Sequence, residues 1–123
     1  MMYTKNSKRS LALTTDKVQR ISGMIGFARR AGKTVIGTEL VCRATPKGEV
    51  KLVVISSTAS DSTKKKLTVK SAFYGISWVI AEIDTERLGA LVGKGGAVAA
   101  IAITDRMFAD EIVRLYLPEA SAQ

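Results

Sequence analysis

The sequence predicts an α/β fold in which one sheet lies between helical layers. Three observations carry this. Apolar strand-like runs alternate with segments of helical spacing throughout the chain, the pattern of a sheet covered by helices. Two of the runs, Lys51–Ser56 (KLVVIS) and Ala97–Ile103 (AVAAIAI), are continuously apolar, as strands buried on both faces are. The chain has 123 residues, 46% of them hydrophobic and 24% charged. That is a globular composition at the length of one domain, long enough to bury a core without disulfides or metal.

The elements follow in order. Residues 1–14 read as a flexible basic arm carrying Lys5, Lys8 and Arg9. Thr15 or Asp16 can cap a first helix, with Val18, Ile21, Ile25 and Ala28 at helical spacing and Gly32 as its stop. Thr34–Ile36 is a short β-branched strand. Gly37 and Thr38 open a second helix with apolar Leu40, Val41 and Ala44, ended by Pro46 and Gly48. After the strand Lys51–Ser56, Ser60 and Asp61 begin a lysine-rich helix (Lys64, Lys65, Lys66, Lys70), with Leu67, Val69 and Phe73 expected inward and Gly75 closing it. Ser77–Ile83 is a strand, and Thr85–Val92 a short helix capped by Asp84. The glycine-rich loop Gly93–Gly96 leads into the strand Ala97–Ile103, and Asp105–Leu117 is the last helix, with Phe108, Ile112 and Leu115 on one side. Residues 15–118 form the expected single domain and 119–123 a short tail.

Composition excludes several chemistries. There is no histidine, so no His-based triad, His-ligated zinc or His general base. The single cysteine, Cys42, allows no intramolecular disulfide or multi-cysteine metal cage and fits a reducing cytoplasm. No apolar run is long enough to span a membrane, and the basic start Met1–Arg9 leads into no stretch of signal-peptide type. The net charge of +8 is unevenly spread. Residues 1–70 hold 15 basic and 4 acidic side chains, whereas residues 71–123 hold 4 and 7. One strongly positive half favours a polyanionic partner, nucleic acid before a membrane surface, since no cationic stretch is paired with exposed large aromatics. The bland alternative is that the charge serves solubility.

Few motifs carry catalytic chemistry. Gly26 to Gly32-Lys33-Thr34 imitates a phosphate-binding loop, but five residues separate the glycines where four are needed, and the segment continues a helix instead of following a strand. The glycines at 89, 93, 95 and 96 run from a helix into a strand, the reverse of a dinucleotide fingerprint. The carboxylates sit mostly at helix starts, where they complement the dipole. Cys42, beside Arg43, reads as a small core residue before a reactive thiolate. The expectation is therefore a binding protein and no enzyme, cofactor or metal. Gly37-Thr38-Glu39 places backbone N–H groups at a helix start, with Arg43 one turn on and Arg29, Arg30 and Lys33 shortly before. Glu39 fits two roles there: a carboxylate that accepts from guanine or cytosine N–H groups, or a first-turn complement to the dipole.

Four stretches together resemble one family: ISGMIGFARRAGKTVIGTELV (21–41), KLVVISSTASDSTKKKL (51–67), LGALVGKGGAVAAIAITD (88–105) and MFADEIVRLY (107–116). They look like the ribosomal protein 7Ae/30e superfamily of kink-turn RNA binders and its bacterial YlxQ-like branch, over most of residues 17–117. The resemblance implies a three-layer α/β/α sandwich around a four-stranded mixed sheet. It also implies non-enzymatic binding to a sharply bent RNA with tandem sheared G·A pairs and a flipped-out nucleotide. Relatives carry a Gly-x-Asn-Glu-like motif at the second helix start. The matching positions are Gly37, Thr38, Glu39 and Leu40, so Glu39 replaces Asn and Leu40 replaces Glu. Arg43 corresponds to a basic position one turn on, and Lys33 to the basic start of the preceding strand. The loop before the last strand, which in relatives brings apolar residues to the flipped base, is Lys94, Gly95, Gly96 and Ala97, and the resemblance implies that the turn at Ser60 would form the other side of that pocket.

The function expected is recognition of structured RNA, associated with the ribosome or translation, by a cytoplasmic monomer. The alternative is a ribosome-associated or assembly protein that binds ribosomal RNA or ribosomal proteins with little intrinsic kink-turn affinity. The run Lys64–Lys66 fits either RNA contact or a merely solvated helix face.

Overall fold

A computed structural model describes the backbone of residues 2–116 and the side chains of residues 16–116. The elements are α1 (Met2–Arg30), β1 (Thr34–Ile36), α2 (Thr38–Ala44) with a 3-10 turn (Thr45–Lys47), β2 (Leu52–Ser56), α3 (Asp61–Phe73), β3 (Ser77–Ala81), α4 (Thr85–Leu91), β4 (Ala100–Ile103) and α5 (Arg106–Tyr116). The order is the one the sequence predicts. The sheet runs β1-β4-β2-β3. β4 pairs antiparallel with both β1 and β2, and β2 pairs parallel with β3. The sheet is thus four-stranded and mixed, and the fold is an α/β/α sandwich.

The two central strands divide the core by simple alternation. Leu52, Val54, Ile101 and Ile103 face a cluster that includes Ile21, Ile25 and Ala28 of α1, Leu88 of α4, and Ala109, Ile112 and Leu115 of α5. Val53, Ile55, Ala100 and Ala102 face the other way, onto Val41 of α2 and Leu67 of α3. Every residue of β2 and β4 is buried, as their continuous apolar runs require. Helix starts carry the expected caps. The Ser60 hydroxyl accepts from the Thr63 N–H at 3.1 Å and the Asp84 carboxylate from the Arg87 N–H at 2.8 Å. The Asp105 carboxylate takes the Met107 N–H at 2.8 Å, so Asp105 caps α5 and does not belong to it.

Four expectations are corrected. α1 begins at Met2 and not at Thr15 or Asp16. Residues 2–22 contain neither glycine nor proline, so nothing interrupts the helix there. The side chains of the segment expected to be an arm, Lys5, Lys8 and Arg9 among them, lie outside the described residues, as does the tail 119–123. In α3, Leu67 and Ser71 face the sheet, but Val69 and Phe73 are exposed, so a cationic stretch is paired with exposed aromatics here, against the expectation that none is. Two helical positions turn the chain about 200°, so 69 and 73 share the face opposite to 67 and 71. Residues 97–99 precede β4 and are not part of it, and β3 stops at Ala81, short of Ile83. In α2, where the sequence calls for no particular burial, Leu40 is 51% exposed and Val41 is fully buried.

Candidate functional site

The chain leaves β1 at Ile36 and enters α2 through Gly37, whose φ of +104° is open to glycine and strained for any other residue. Its N–H donates to the Ala100 carbonyl at 2.9 Å, and its own carbonyl accepts from the Val41 N–H at 2.9 Å. Gly37 thereby fixes the start of α2 against the start of β4. The expected row of free N–H groups begins only after it, because its own N–H is taken.

The loop before β4 reaches the same place by another route. Its Gly93 N–H donates to the Ala90 carbonyl at 3.2 Å and its Lys94 N–H to the Gly89 carbonyl at 2.8 Å, which closes α4. The Val98 N–H donates to the Thr85 carbonyl at 2.9 Å. The loop therefore folds back along α4. Gly89 makes this approach possible, since a Cβ at that position would overlap the Gly96 carbonyl. A glycine inside a predicted helix is the signal that identifies such a close approach. Arg29, at the end of α1, packs its guanidinium over Gly93. Arg30 instead lies over the Phe27 ring, 5.0 Å from its centroid.

Between these segments lies an open groove of about 410 Å³. It is lined by Gly37 and Thr38 on one side and by Lys94, Gly95, Gly96 and Ala97 on the other, with Ile36, Val98 and Ala99 at its floor. Six of the ten predicted site residues thus meet in one place. Glu39 and Arg43 follow on α2 and are exposed. Among the described residues the ion pairs are Asp16–Arg20 and Glu111–Arg114, so neither Glu39 nor Arg43 is engaged in one.

The other two sites fall differently. Ser60 is exposed at the turn after β2, at the same end of the sheet as Gly37, but does not line the groove. Its turn is tied to the neighbouring one: the Ser56 hydroxyl donates to the Ile83 carbonyl at 2.7 Å, and Thr58 Oγ1 accepts from the Thr85 N–H at 3.1 Å. Lys33 lies at the opposite end of β1, where its carbonyl accepts from the Thr104 N–H at 2.9 Å. Roughly 13 Å of extended chain separates it from Gly37, so the structure does not bring Lys33 to the groove. In the sequence Arg29 stands out only as a nearby cation, and Ile36, Val98 and Ala99 only as strand residues. The groove contains no carboxylate, and among the described residues no cluster of Cys, Asp or Glu could hold a metal ion.

The groove between the start of α2 and the pre-β4 loop of this α/β/α sandwich is the candidate site. The chain belongs to the ribosomal protein L7Ae/L30e/S12e/Gadd45 family, which it matches over residues 19–113. It is 35% identical over 92 residues to the RNA-binding protein YlxQ of Bacillus subtilis, covering 75% of this chain and 90% of that one. It is 32% identical over 87 residues to the large ribosomal subunit protein eL30 of Sulfolobus acidocaldarius, covering 71% and 84%. Among solved structures, a protein of unknown function from Bacillus halodurans superposes with a TM-score of 0.72 at 33% identity, covering 77% of this chain and 94% of that one. The 15.5kD RNA binding protein of Giardia lamblia shares the fold, with a TM-score of 0.68 at 12% identity over 81% and 84% of the two chains.

Proposed function

We propose that this chain is a non-enzymatic RNA-binding protein that recognises a bent, kink-turn-like RNA with the edge formed by α2 and the loop Lys94–Ala97. The observation that carries the reading is the groove itself. Two segments 55 residues apart in sequence, Gly37–Thr38 and Lys94–Ala97, close on one another in a chain whose family includes named RNA-binding and ribosomal proteins.

The roles follow from the chemistry. Gly95 and Gly96 present backbone without side chains, so a nucleotide can approach closely. Ala97 and the floor residue Val98 offer an apolar contact for an unstacked base, smaller than the wedge the resemblance leads one to expect. Arg43 and Lys94 neutralise phosphates. Glu39, exposed and in no ion pair among the described residues, accepts from base N–H groups; a carboxylate repels phosphate, so on this edge it selects for base contact. Thr38 adds a hydroxyl at the groove wall, and Ser60 flanks the same end. Lys33 is left out of this interface.

The mechanism is selection of one RNA shape. Kinked and extended RNA interconvert, and a protein that fits only the kinked form shifts the balance by its differential affinity. Shape and unstacked bases supply the selectivity. Each neutralised phosphate makes affinity fall by about 0.7–0.9 log units per log unit of salt. Likeness to a large ribosomal subunit protein favours a target within ribosomal RNA.

The test is binding of Glu39→Ala and Arg43→Ala to a kink-turn stem, with melting measured alongside. Both residues are exposed, so melting stays near wild type. Each variant should bind at least about fivefold more weakly, the loss of one charge-assisted hydrogen bond. If both bind as well as the parent, the proposed edge is wrong.

A further inference from the structure

The apolar stripe of α3 that does not enter the core forms a second surface. Val69 is 59% exposed, Phe73 79% and Tyr74 42%. With Lys65, Lys66 and Lys70 they line an open groove of about 500 Å³. The Phe73 and Tyr74 rings meet edge to face, with centroids 4.9 Å apart and planes at 85°. This T-shaped contact leaves a ring face of Phe73 available while the pair braces itself.

Charge decides what such a surface takes. From residue 62 to residue 81 the chain holds four lysines and no carboxylate. None of these lysines forms an ion pair among the described residues. An apolar protein partner would have to bury three ammonium groups against its own surface, at a desolvation cost that only matched carboxylates offset. A single-stranded nucleic acid meets both demands at once: its phosphates pair with the lysines while its bases stack on exposed rings.

We propose that the Lys65–Tyr74 face of α3 binds a single-stranded RNA segment, by stacking a base on Phe73 and neutralising phosphates with Lys66 and Lys70. The choice of RNA as the polyanion rests on the function proposed above. The surface is separate from the first groove. α3 starts at Asp61, after its cap Ser60 at the Gly37 end of the sheet, and its 13 residues carry the chain about 20 Å toward the other end. Lys64, Lys65 and Lys66 lie along that path, so a single strand leaving a folded RNA at the first groove is led toward Phe73.

Three probes test this on the full chain: a 12-nucleotide oligouridine, a blunt kink-turn stem, and the same stem with a 12-nucleotide uridine extension. Binding is followed by fluorescence anisotropy across a salt series. Wild type should bind oligouridine and should hold the extended stem more tightly than the blunt one. Phe73→Ala should weaken oligouridine at least about fivefold, the loss of one base–aromatic stack. It should also abolish the advantage of the extension and leave the blunt stem unchanged. Lys66→Ala with Lys70→Ala should lower the oligouridine salt slope by about 1.4, two phosphates' worth on a single strand. If oligouridine does not bind, or binds both variants like wild type, the inference is overturned. Loss of blunt-stem binding by wild type, with oligouridine still held through Phe73, would overturn the kink-turn reading and leave this one standing. Capture of an acidic peptide or anionic vesicles through the same residues, with no binding of oligouridine, would identify another partner class and contradict it.

Discussion

The two faces of the sheet are built differently. One is covered by α1, α4 and α5 and buries large aliphatic side chains from every layer. The other is covered by α2 and α3 alone, and the residues β4 turns toward it are the alanines Ala100 and Ala102. Its helices spend few positions on the core: Val41 in α2, and Leu67 with Ser71 in α3, are their buried residues. Leu40, Val69 and Phe73 point away. The thick face buries more helix residues, and the thin face leaves Leu40, Val69 and Phe73 exposed. Both proposed binding surfaces use helices of the thin face.

The sharpest way to break this contrast is to truncate a core residue of the thick face and an outward-facing aliphatic residue of the thin one. Ile112→Ala, fully buried on the thick face, is expected to cost about 2–5 kcal/mol of stability by chemical denaturation. Leu40→Ala on the thin face should cost no more than about 0.5 kcal/mol. Equal losses would erase the distinction.

A smaller effect comes from the end of α5. Burial pushes Tyr116 from its ordinary value of 10.0 up to about 12, a neighbouring Glu82 carboxylate adding to the rise and a backbone hydrogen bond opposing it. Its hydroxyl donates to the Ile80 carbonyl at 3.3 Å. The folded state holds the phenolic proton more tightly than the unfolded state does. This contribution is therefore complete below pH 10 and is lost as pH rises from 10 to 12, by about 2–3 kcal/mol in all. Denaturant melts between pH 9 and 12 should show Tyr116→Phe losing that much less stability than wild type.

Gly89→Ala sharpens the link between the faces, since α4 belongs to the thick side and braces the loop of the groove. The added methyl group meets the Gly96 carbonyl, so the loop must shift, at about 1–3 kcal/mol. RNA affinity should fall with it, although Gly89 itself is buried. Smallest in stability is Lys94→Ala, which should leave melting within about 0.5 kcal/mol of wild type. It should lower the salt slope for a kink-turn stem by about 0.7–0.9.

Much of this was legible in the sequence because periodicity reports burial. The runs KLVVIS and AVAAIAI read as strands covered on both sides, and Ser60, Asp84 and Asp105 stand at helix starts, each with a local hydrogen bond. The α3 face was misread because 67, 69 and 73 are all apolar, and composition alone does not say which of two apolar faces the sheet will claim. The groove was half legible. Gly37 and the Lys94–Ala97 loop stand out as glycine-rich turns, but their meeting depends on β4 lying beside β1, a pairing with no local signal. The position of Lys33 follows from something already legible: the strand Thr34–Ile36 lies between it and Gly37 and sends the two to opposite ends.

The most direct measurement is an amide chemical-shift map of the protein titrated with a kink-turn stem. Shifts should concentrate at residues 37–43, 57–60 and 94–99, with the helical turns of α1 and α5 that pack on the sheet unmoved. A map centred on α1 and α5, with 37–43 and 94–99 silent, would contradict the assignment of recognition to the thin face and its groove.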